Sequence, residues 1–448
     1  MNSRARQAWH LIAFLAAGCQ APVTAQIFQE LHAFTDRPDG AVPHGGLVQG
    51  SDGNFYGTTV YGGTWGYGTV FRMTTNGEIT MLVSLDGVTT DQHPITGLVE
   101  ASDGNFYCAT VEPSRILKVT PTGVVTIYGY GQGTEYDLLR GSDDYLYGVD
   151  SGNATLGGFI YRWRPDTGAG DLLFQFDYSS QLQNGYYPSG GLTEGTDGNF
   201  YGVTSGGGAY GYGVVYRITT NRTYTVMCSF NRGPGLPGAA YPYGRLLQAS
   251  DGNFYGIAGS GDGTVFKMTT NGMLTTVAFF DGYAGYYANG GLIEANDGNF
   301  YGTALDGGLP ANGQGTVFRM TPAGTLSLFV SFTGGYGAYP GASPYAGLAQ
   351  GSDGNLYGTC GTQGTRGAGN VFRIIMPGPH LDSQPSTLNQ LILSWRTNYT
   401  GFTLQWSDDL NSSNWIDCTN EVVVSGNKFF VTNSVLTGQR FFRLKRIF

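Results

Sequence analysis

Asp52-Gly53-Asn54-Phe55-Tyr56-Gly57 is the stretch on which the reading of this chain turns, because it comes back six more times. The later copies begin at Asp103, Asp143, Asp197, Asp251, Asp297 and Asp353. The third has worn to Asp143-Asp144-Tyr145-Leu146-Tyr147-Gly148, and the seventh carries Leu356 in place of Phe. Successive aspartates stand 51, 40, 54, 54, 46 and 56 residues apart. Such a period marks a repeat architecture, in which each unit buries its apolar face only against its neighbours. Within the stretch, Asp-Gly reads as a tight turn: Gly supplies positive φ without steric cost, and the Asp side chain caps its own turn. The aromatics that follow alternate across a strand. Gly57 ends the pair at a place where another backbone is expected to approach closely. The rival reading, a calcium loop, fails because there are no spaced oxygen ligands before the Gly and no closing bidentate Glu.

Outward from the turn, the first unit reads as four short strands. They are Gly45-Gly46-Leu47-Val48-Gln49, then Asn54 to Thr59, then Gly68 to Thr74, then Ile79 to Leu85, separated by Gly and Asn-Gly signals. Four antiparallel strands repeated seven times predict an all-β fold, a seven-bladed β-propeller. The seventh unit lacks a fourth strand, since Pro377 and Pro379 follow its third. The missing strand stands at the other end of the chain, Phe28 to Phe34, and matches fourth strands that also end in Phe. Pairing it with the last blade would close the ring and remove its exposed edges. Connections between strands one and two, and three and four, are tight turns. Those between strands two and three, and between units, are long and rich in Gly, Tyr and Pro. Alternation puts the two classes on opposite faces, and function sits disproportionately on long loops over a rigid scaffold.

These residues carry a resemblance. The Gly-Leu first strand, Asp-Gly-Asn-Phe-Tyr-Gly, and then Gly263-Thr264-Val265-Phe266-Lys267 or Gly315-Thr316-Val317-Phe318-Arg319 make the chain similar to the GloVer tandem-repeat family over roughly residues 27–375. Repeats two and three depart from the pattern, with Ile116-Leu117-Lys118 and Asp144. The resemblance implies an exported bacterial protein with a variable C-terminal end, and no catalytic set.

Composition narrows the class. The chain has 448 residues, 74 of them Gly, with aromatics at 14%, which excludes disorder. Residues 1–25 read as a secretory signal peptide: basic Arg4 and Arg6, an apolar run from Trp9 to Ala17, and small residues at Val23-Thr24-Ala25. Lipidation at Cys19 is the alternative. The protein is therefore expected to be secreted or held at the cell surface, without a membrane-spanning segment after the signal is removed. The formal net charge is −9, and losing the two signal arginines leaves the chain more acidic still. With no basic block, nucleic acid is not an expected partner. Cys108, Cys228 and Cys360 belong to distant repeats, so they and Cys418 are expected to be free thiols. The propeller is expected over 26–378. Residues 385–448 lose the Gly-rich character and look similar to a small fibronectin type III-like β-sandwich around Trp395.

No catalytic constellation stands out. His32, His44, His93 and His380 have no ligand spacing, the Gly-rich loops lack Lys and a following helix, and no nucleophile elbow is present. No metal or other cofactor is expected. Glu30, Glu100, Glu194 and Glu294 are candidates for a cluster, but Glu194 and Glu294 recur at one repeat position, which favours a structural role. What remains is aromatic residues in the long loops, whose flat faces and polar tips suit recognition. Trp65, Tyr67, Tyr212, Tyr286 and Tyr339 are the candidate ligand-binding residues. The expected function is binding or adhesion without catalysis, a monomer recognising a glycan or a surface protein through the long-loop face. A polysaccharide lyase or glycosidase with carboxylates in the central channel, and a purely structural scaffold, are the alternatives.

Overall fold

The computed structural model describes residues 27–446 except 89, 91, 112–113, 131–135, 153–155, 178–182, 232–239, 260–262, 289, 310–312, 379–380, 386–389, 397–401, 410–413, 427 and 435–439. The expected signal segment and Cys19 lie outside the described residues, as does His380. Among the described residues every regular element is a β-strand. The first sheet pairs Val48–Gln49, Phe55–Thr59, Thr69–Met73 and Ile79–Ser84 antiparallel, in chain order. Five more antiparallel sheets follow in chain order, across 99–130, 139–175, 186–229, 242–279 and 292–331; four have four strands, and the 186–229 sheet has a fifth, Tyr186–Pro188, which pairs with Phe200–Gly206 as Thr193–Glu194 does. The last sheet has three strands between 349 and 375, and its fourth is the N-terminal strand β1, Ile27–Ala33. β1 lies antiparallel to Asn370–Ile375, with Phe28 opposite Ile374 and Glu30 opposite Phe372. In all seven sheets the outer pair carries an irregularity at one place, as between Val70 and Phe71 or between Val317 and Phe318. A bulge there strengthens the twist of the outermost strand.

The repeated turn is built as its sequence demands. Gly53 has φ 82°, and Gly104, Gly198, Gly252, Gly298 and Gly354 lie between 73° and 81°, while Asp144 holds the worn third copy at 65°. The Asp52 carboxylate accepts from the Asn54 amide at 3.0 Å, and its other oxygen accepts from the Tyr56 hydroxyl at 2.9 Å. The same Asp–Tyr bond recurs in the other six copies, from Tyr107–Asp103 to Tyr357–Asp353. In two copies a lysine joins. Burial pushes the carboxyls of Asp103 and Asp251 up, but hydrogen bonds from Lys118 and Lys267, with those from Asn and Tyr, hold both at about 2. Gly57 differs from its expected role. A side chain there would strike the ring of Phe71, 2.5 Å from Cζ, so the glycine accommodates an aromatic ring of the next strand rather than a backbone.

Both aromatics of the motif are buried, and they join neighbouring sheets. The Tyr of one sheet meets the Phe of the next: Tyr56–Phe106 at 3.9 Å, Tyr147–Phe200 at 4.0 Å, Tyr201–Phe254 at 4.2 Å and Tyr255–Phe300 at 4.6 Å between ring centroids. Where the motif carries Leu, that Leu fills the place, Leu146 beside Tyr107 and Leu356 beside Tyr301. Tyr357 of the last sheet meets Phe55 of the first at 4.1 Å. A second set of contacts follows the same path. Glu100 accepts from the Ser51 amide and hydroxyl, and Glu194 and Glu294 treat Ser142 and Ser250 alike. Gln248, Gln350 and Gln49 occupy the same repeat position and accept from the amides of Thr196, Asn296 and Ser352. Glu100 thus shares the structural position of Glu194 and Glu294. Glu30 instead accepts from Asn370 at 2.8 Å.

Beyond 381, two further antiparallel groups form. Asp382–Pro385, Gln390–Arg396, Lys428–Ser434 and Val422–Ser425 make one, and Ile416–Asp417, Phe402–Ser407 and Phe441–Arg446 the other. Leu393, Trp395, Leu404 and Val431 are buried together. The four thiols are free, and burial pushes Cys108 and Cys228 up to about 12.

Two outcomes follow from this frame. Gly252→Val loses about 1–2 kcal/mol in urea unfolding, because no atom lies within 4 Å of the added Cβ and the whole cost is the left-handed backbone. Deleting residues 26–36 removes Phe28, which stacks on Phe372 at 5.4 Å, and strips a fully paired edge. That deletion is expected to lower the melting temperature and produce aggregates in light scattering; an unchanged monomer would show that β1 does not hold the last sheet.

Candidate functional site

The first strands of the seven sheets converge on one cavity. Six units enter it through an equivalent residue with positive φ: Val42, His93, Tyr187, Tyr241, Tyr287 and Ser343, at 53° to 57°. Five of these precede Pro, at 43, 94, 188, 242 and 344. The following Gly pairs let the inner strands touch backbone to backbone. A Cβ on Gly190 would lie 2.1 Å from the Gly244 carbonyl oxygen, and one on Gly347 equally close to that of Gly290. Ser189 accepts from the Gly244 amide at 2.8 Å. Threonines of the second strands brace the same layer, Thr58 to the Thr96 carbonyl and Thr303 to the Ala346 carbonyl.

The cavity measures about 550 Å³, and all seven units contribute to its wall. Two wall positions break the repeat. Where five units have Gly46, Gly97, Gly191, Gly291 and Gly347, the third has Asp137 and the fifth Arg245. Asp137 Oδ1 accepts from the Gly97 amide at 2.6 Å. Arg245 crosses over Gly191 and donates from Nη2 to the carbonyls of Asp137 and Leu138, at 3.2 and 3.1 Å. It passes the fourth sheet to reach the third, and the missing side chain of Gly191 leaves the room. Burial lowers the pKa of the guanidinium, with the Asp137 charge acting in the other direction. Its Nε is fully buried without a partner. Across the wall, His44 stacks on Tyr345 at 4.6 Å and its Nδ1 meets the Ile95 carbonyl at 3.0 Å. Of the described residues lining this cavity, Asp137 is the one carboxylate. Among the described residues no group of three or more His, Cys, Asp or Glu is placed to hold a metal ion.

The long-loop face carries a different surface. Trp65 is 61% exposed and Tyr67 38%, both in the loop after Phe55–Thr59. Tyr67 lies over Gly87, and the Tyr67 carbonyl accepts from the His93 amide at 2.9 Å. Tyr212, Tyr286 and Tyr339 are half-buried. Tyr212 packs edge-on against Tyr241, Tyr339 packs edge-on against Phe28, and Tyr286 covers Gly282. The five therefore lie on four separate loops, Trp65 and Tyr67 sharing one, and are not drawn into one pocket. Tyr210, Tyr283, Tyr287 and Tyr336 stand out further than these last three, Tyr336 at 90%. The cavity residues Asp137, Arg245 and Tyr345 carried one signal in the sequence, the break of the Gly-Leu pattern, which marks the first two.

Seven repeated antiparallel sheets and this inner wall define a β-propeller-like repeat protein. The chain belongs to the Gloeobacter/Verrucomicrobia repeat family, whose profile matches residues 115–308 and 258–382, more than half its length. No curated protein matches it. Among solved structures it is similar to virginiamycin B lyase from Staphylococcus aureus, at 16% identity and TM-score 0.52, covering 78% of this chain and 99% of that one. It is similar to oligogalacturonate lyase from Vibrio parahaemolyticus, at 11% identity and TM-score 0.51, covering 80% and 95%. The extracellular domain of a candidate hybrid two-component system from B. thetaiotaomicron matches at 10% identity and TM-score 0.56, covering 83% of this chain and 46% of that one. At these identities the likeness speaks for the fold alone.

The inner wall yields a paired outcome. Gly190→Ala costs about 1–3 kcal/mol by overpacking, whereas Gly46→Ala, whose Cβ meets nothing nearer than 3.8 Å, changes stability little. Thermal melts of the two variants check it; equal losses would mean that the wall is not packed backbone to backbone.

Proposed function

We propose that this chain is an exported binding protein that recognises a glycan through the long-loop face. In this reading the seven sheets are the blades of one propeller over 26–378, closed by β1, and 385–448 is a fibronectin type III-like sandwich. One observation carries the binding reading. Of the eight exposed aromatic residues among the described ones, Tyr61, Trp65, Tyr67, Tyr210, Tyr283, Tyr287 and Tyr336 lie in loops after second strands or between sheets, all on one face. Folding does not require seven rings in water, while a sugar face stacks on such rings at about 1 kcal/mol each. The channel-enzyme reading has less support, because two carboxylates in differing environments are what such chemistry needs and the cavity wall offers Asp137. Export rests on residues 1–25. Among the described residues no helix is long and apolar enough to cross a membrane.

The experiment is a glycan and cell-wall array on residues 26–448, followed by titration of the strongest binder. Trp65→Ala combined with Tyr336→Ala is expected to weaken that binder at least tenfold, about 1.4 kcal/mol, with the melting temperature unchanged. Asn76→Ala, in a tight turn of the opposite face, leaves binding alone. Equal effects of the two sets, or unfolding by the aromatic changes, refute the assignment.

A further inference from the structure

One junction between sheets is built differently from the others. In six sheets the residue following the fourth strand is large, apolar and buried: Phe34, Leu85, Phe176, Phe230, Phe280 and Phe332. Each sends its amide to a Gly carbonyl before the third strand, as Phe280 does to Gly263 and Phe332 to Gly315. Five of them also pack on an aromatic ring, as Phe280 does on Phe318 at 4.9 Å. The equivalent sequence position of the second unit, Gly131, lies outside the described residues.

The third sheet lacks a side chain at its junction with the second. Ile79, Val125, Tyr224, Leu274, Leu326 and Phe28 open or line the fourth strand opposite the end of the third, and the equivalent residue here is Gly170. The turn before it is one residue longer, with Arg164 and Ala169 bonded where other turns bond Thr74 to Glu78 or Thr269 to Met273. Elsewhere the turn glycine presses on the neighbouring fourth strand: Cβ atoms on Gly77, Gly123, Gly272 and Gly324 would come within 2.4–2.9 Å of a carbonyl oxygen. At Gly168 the nearest atom is the Tyr128 hydroxyl at 3.7 Å.

The result is a cavity of about 460 Å³ between the second and third sheets, walled by Tyr128, Phe159, Tyr161 and Trp163. Trp163 stands where other units have Met73, Val119, Ile218, Met268, Met320 and Ile374. Trp163 Nε1 is buried with no partner; the Tyr161 hydroxyl, also without one, is turned toward Gly148 and away from these walls. An orphan hydroxyl alone would mark nothing, since Tyr216 has one too. What marks this place is an orphan indole donor on a wall residue of a cavity of ligand size. We propose that this junction is a binding site for a small aromatic compound carrying a hydrogen-bond acceptor, separate from the long-loop face and independent of it. The apolar walls take the ring, and the acceptor satisfies the buried indole donor. A sugar fits less well. It would bury several hydroxyls, each needing a partner. Arg162, the charged donor in the wall, is already held by Asp171 at 3.0 Å.

The test is ligand-observed NMR titration of residues 26–448 with acetophenone, toluene and methyl glucoside. Acetophenone is expected to bind saturably, toluene at least tenfold more weakly because it has no acceptor, and methyl glucoside more weakly still. Gly170→Leu restores the side chain found in two other units and abolishes acetophenone binding. Trp163→Phe keeps a ring but removes the donor, and weakens acetophenone at least threefold. No saturable acetophenone binding, tighter binding of methyl glucoside, or equal affinity of wild type and Trp163→Phe overturns the proposal.

Discussion

The stacking of a Tyr from one sheet on the Phe or Leu of the next is the contact on which the rest depends. Each repeat is too small to bury its own faces. A sheet with both faces apolar is stable only between two others. The motif supplies one aromatic to each side, with Phe55 turned toward Tyr357 and Tyr56 toward Phe106. The Asp–Tyr hydrogen bond ties this layer to the turn, so one residue caps its own turn and orients the ring that joins the neighbour. The turn motif is thereby held by packing as well as by backbone geometry.

Around that contact the same path is secured at three radii. Inside, glycines let the first strands touch. In the middle lies the aromatic layer. On the tight-turn face, the Glu and Gln side chains reach the preceding turn. The first and last sheets are joined by the same means as all others, through Phe55–Tyr357 and the Gln49–Ser352 bond at 2.7 Å, and by the pairing of β1. Few of these contacts are exposed ion pairs, which contribute little. The acidic surface is therefore tolerated without being needed for the fold.

Regularity of this kind makes each departure readable. Asp137 and Arg245 break the Gly wall of the central cavity, and Arg245 uses the gap left by Gly191 to reach two carbonyls of a sheet that is not its neighbour. Gly170 with the longer turn opens the junction of the second and third sheets. Neither break weakens the aromatic layer, because Tyr107 still meets Leu146 there. The scaffold accordingly separates the residues that hold it together from those free to vary.

The repeat, its four strands, the turn at Asp52-Gly53 and the partner of the last sheet are legible in the amino acids alone. Each of these is local or periodic: an Asp-Gly pair dictates φ, alternation dictates faces, and a missing strand at one end matches a surplus strand at the other. The sequence also marks Trp65 as a loop residue, since flanking glycines and distance from any strand leave it unpacked. Which loop aromatics stand in water depends on the three-dimensional packing. Tyr339 and Tyr336 lie in one loop, yet Tyr339 rests on Phe28, more than three hundred positions away in the chain, and Tyr336 touches solvent. Packing alone brought Asp137 beside Arg245, and it alone turned Gly170 from a weak strand residue into the floor of a cavity. Those relations join residues of different sheets. Their distances are set by how seven twisted sheets pack, which no single period in the sequence encodes.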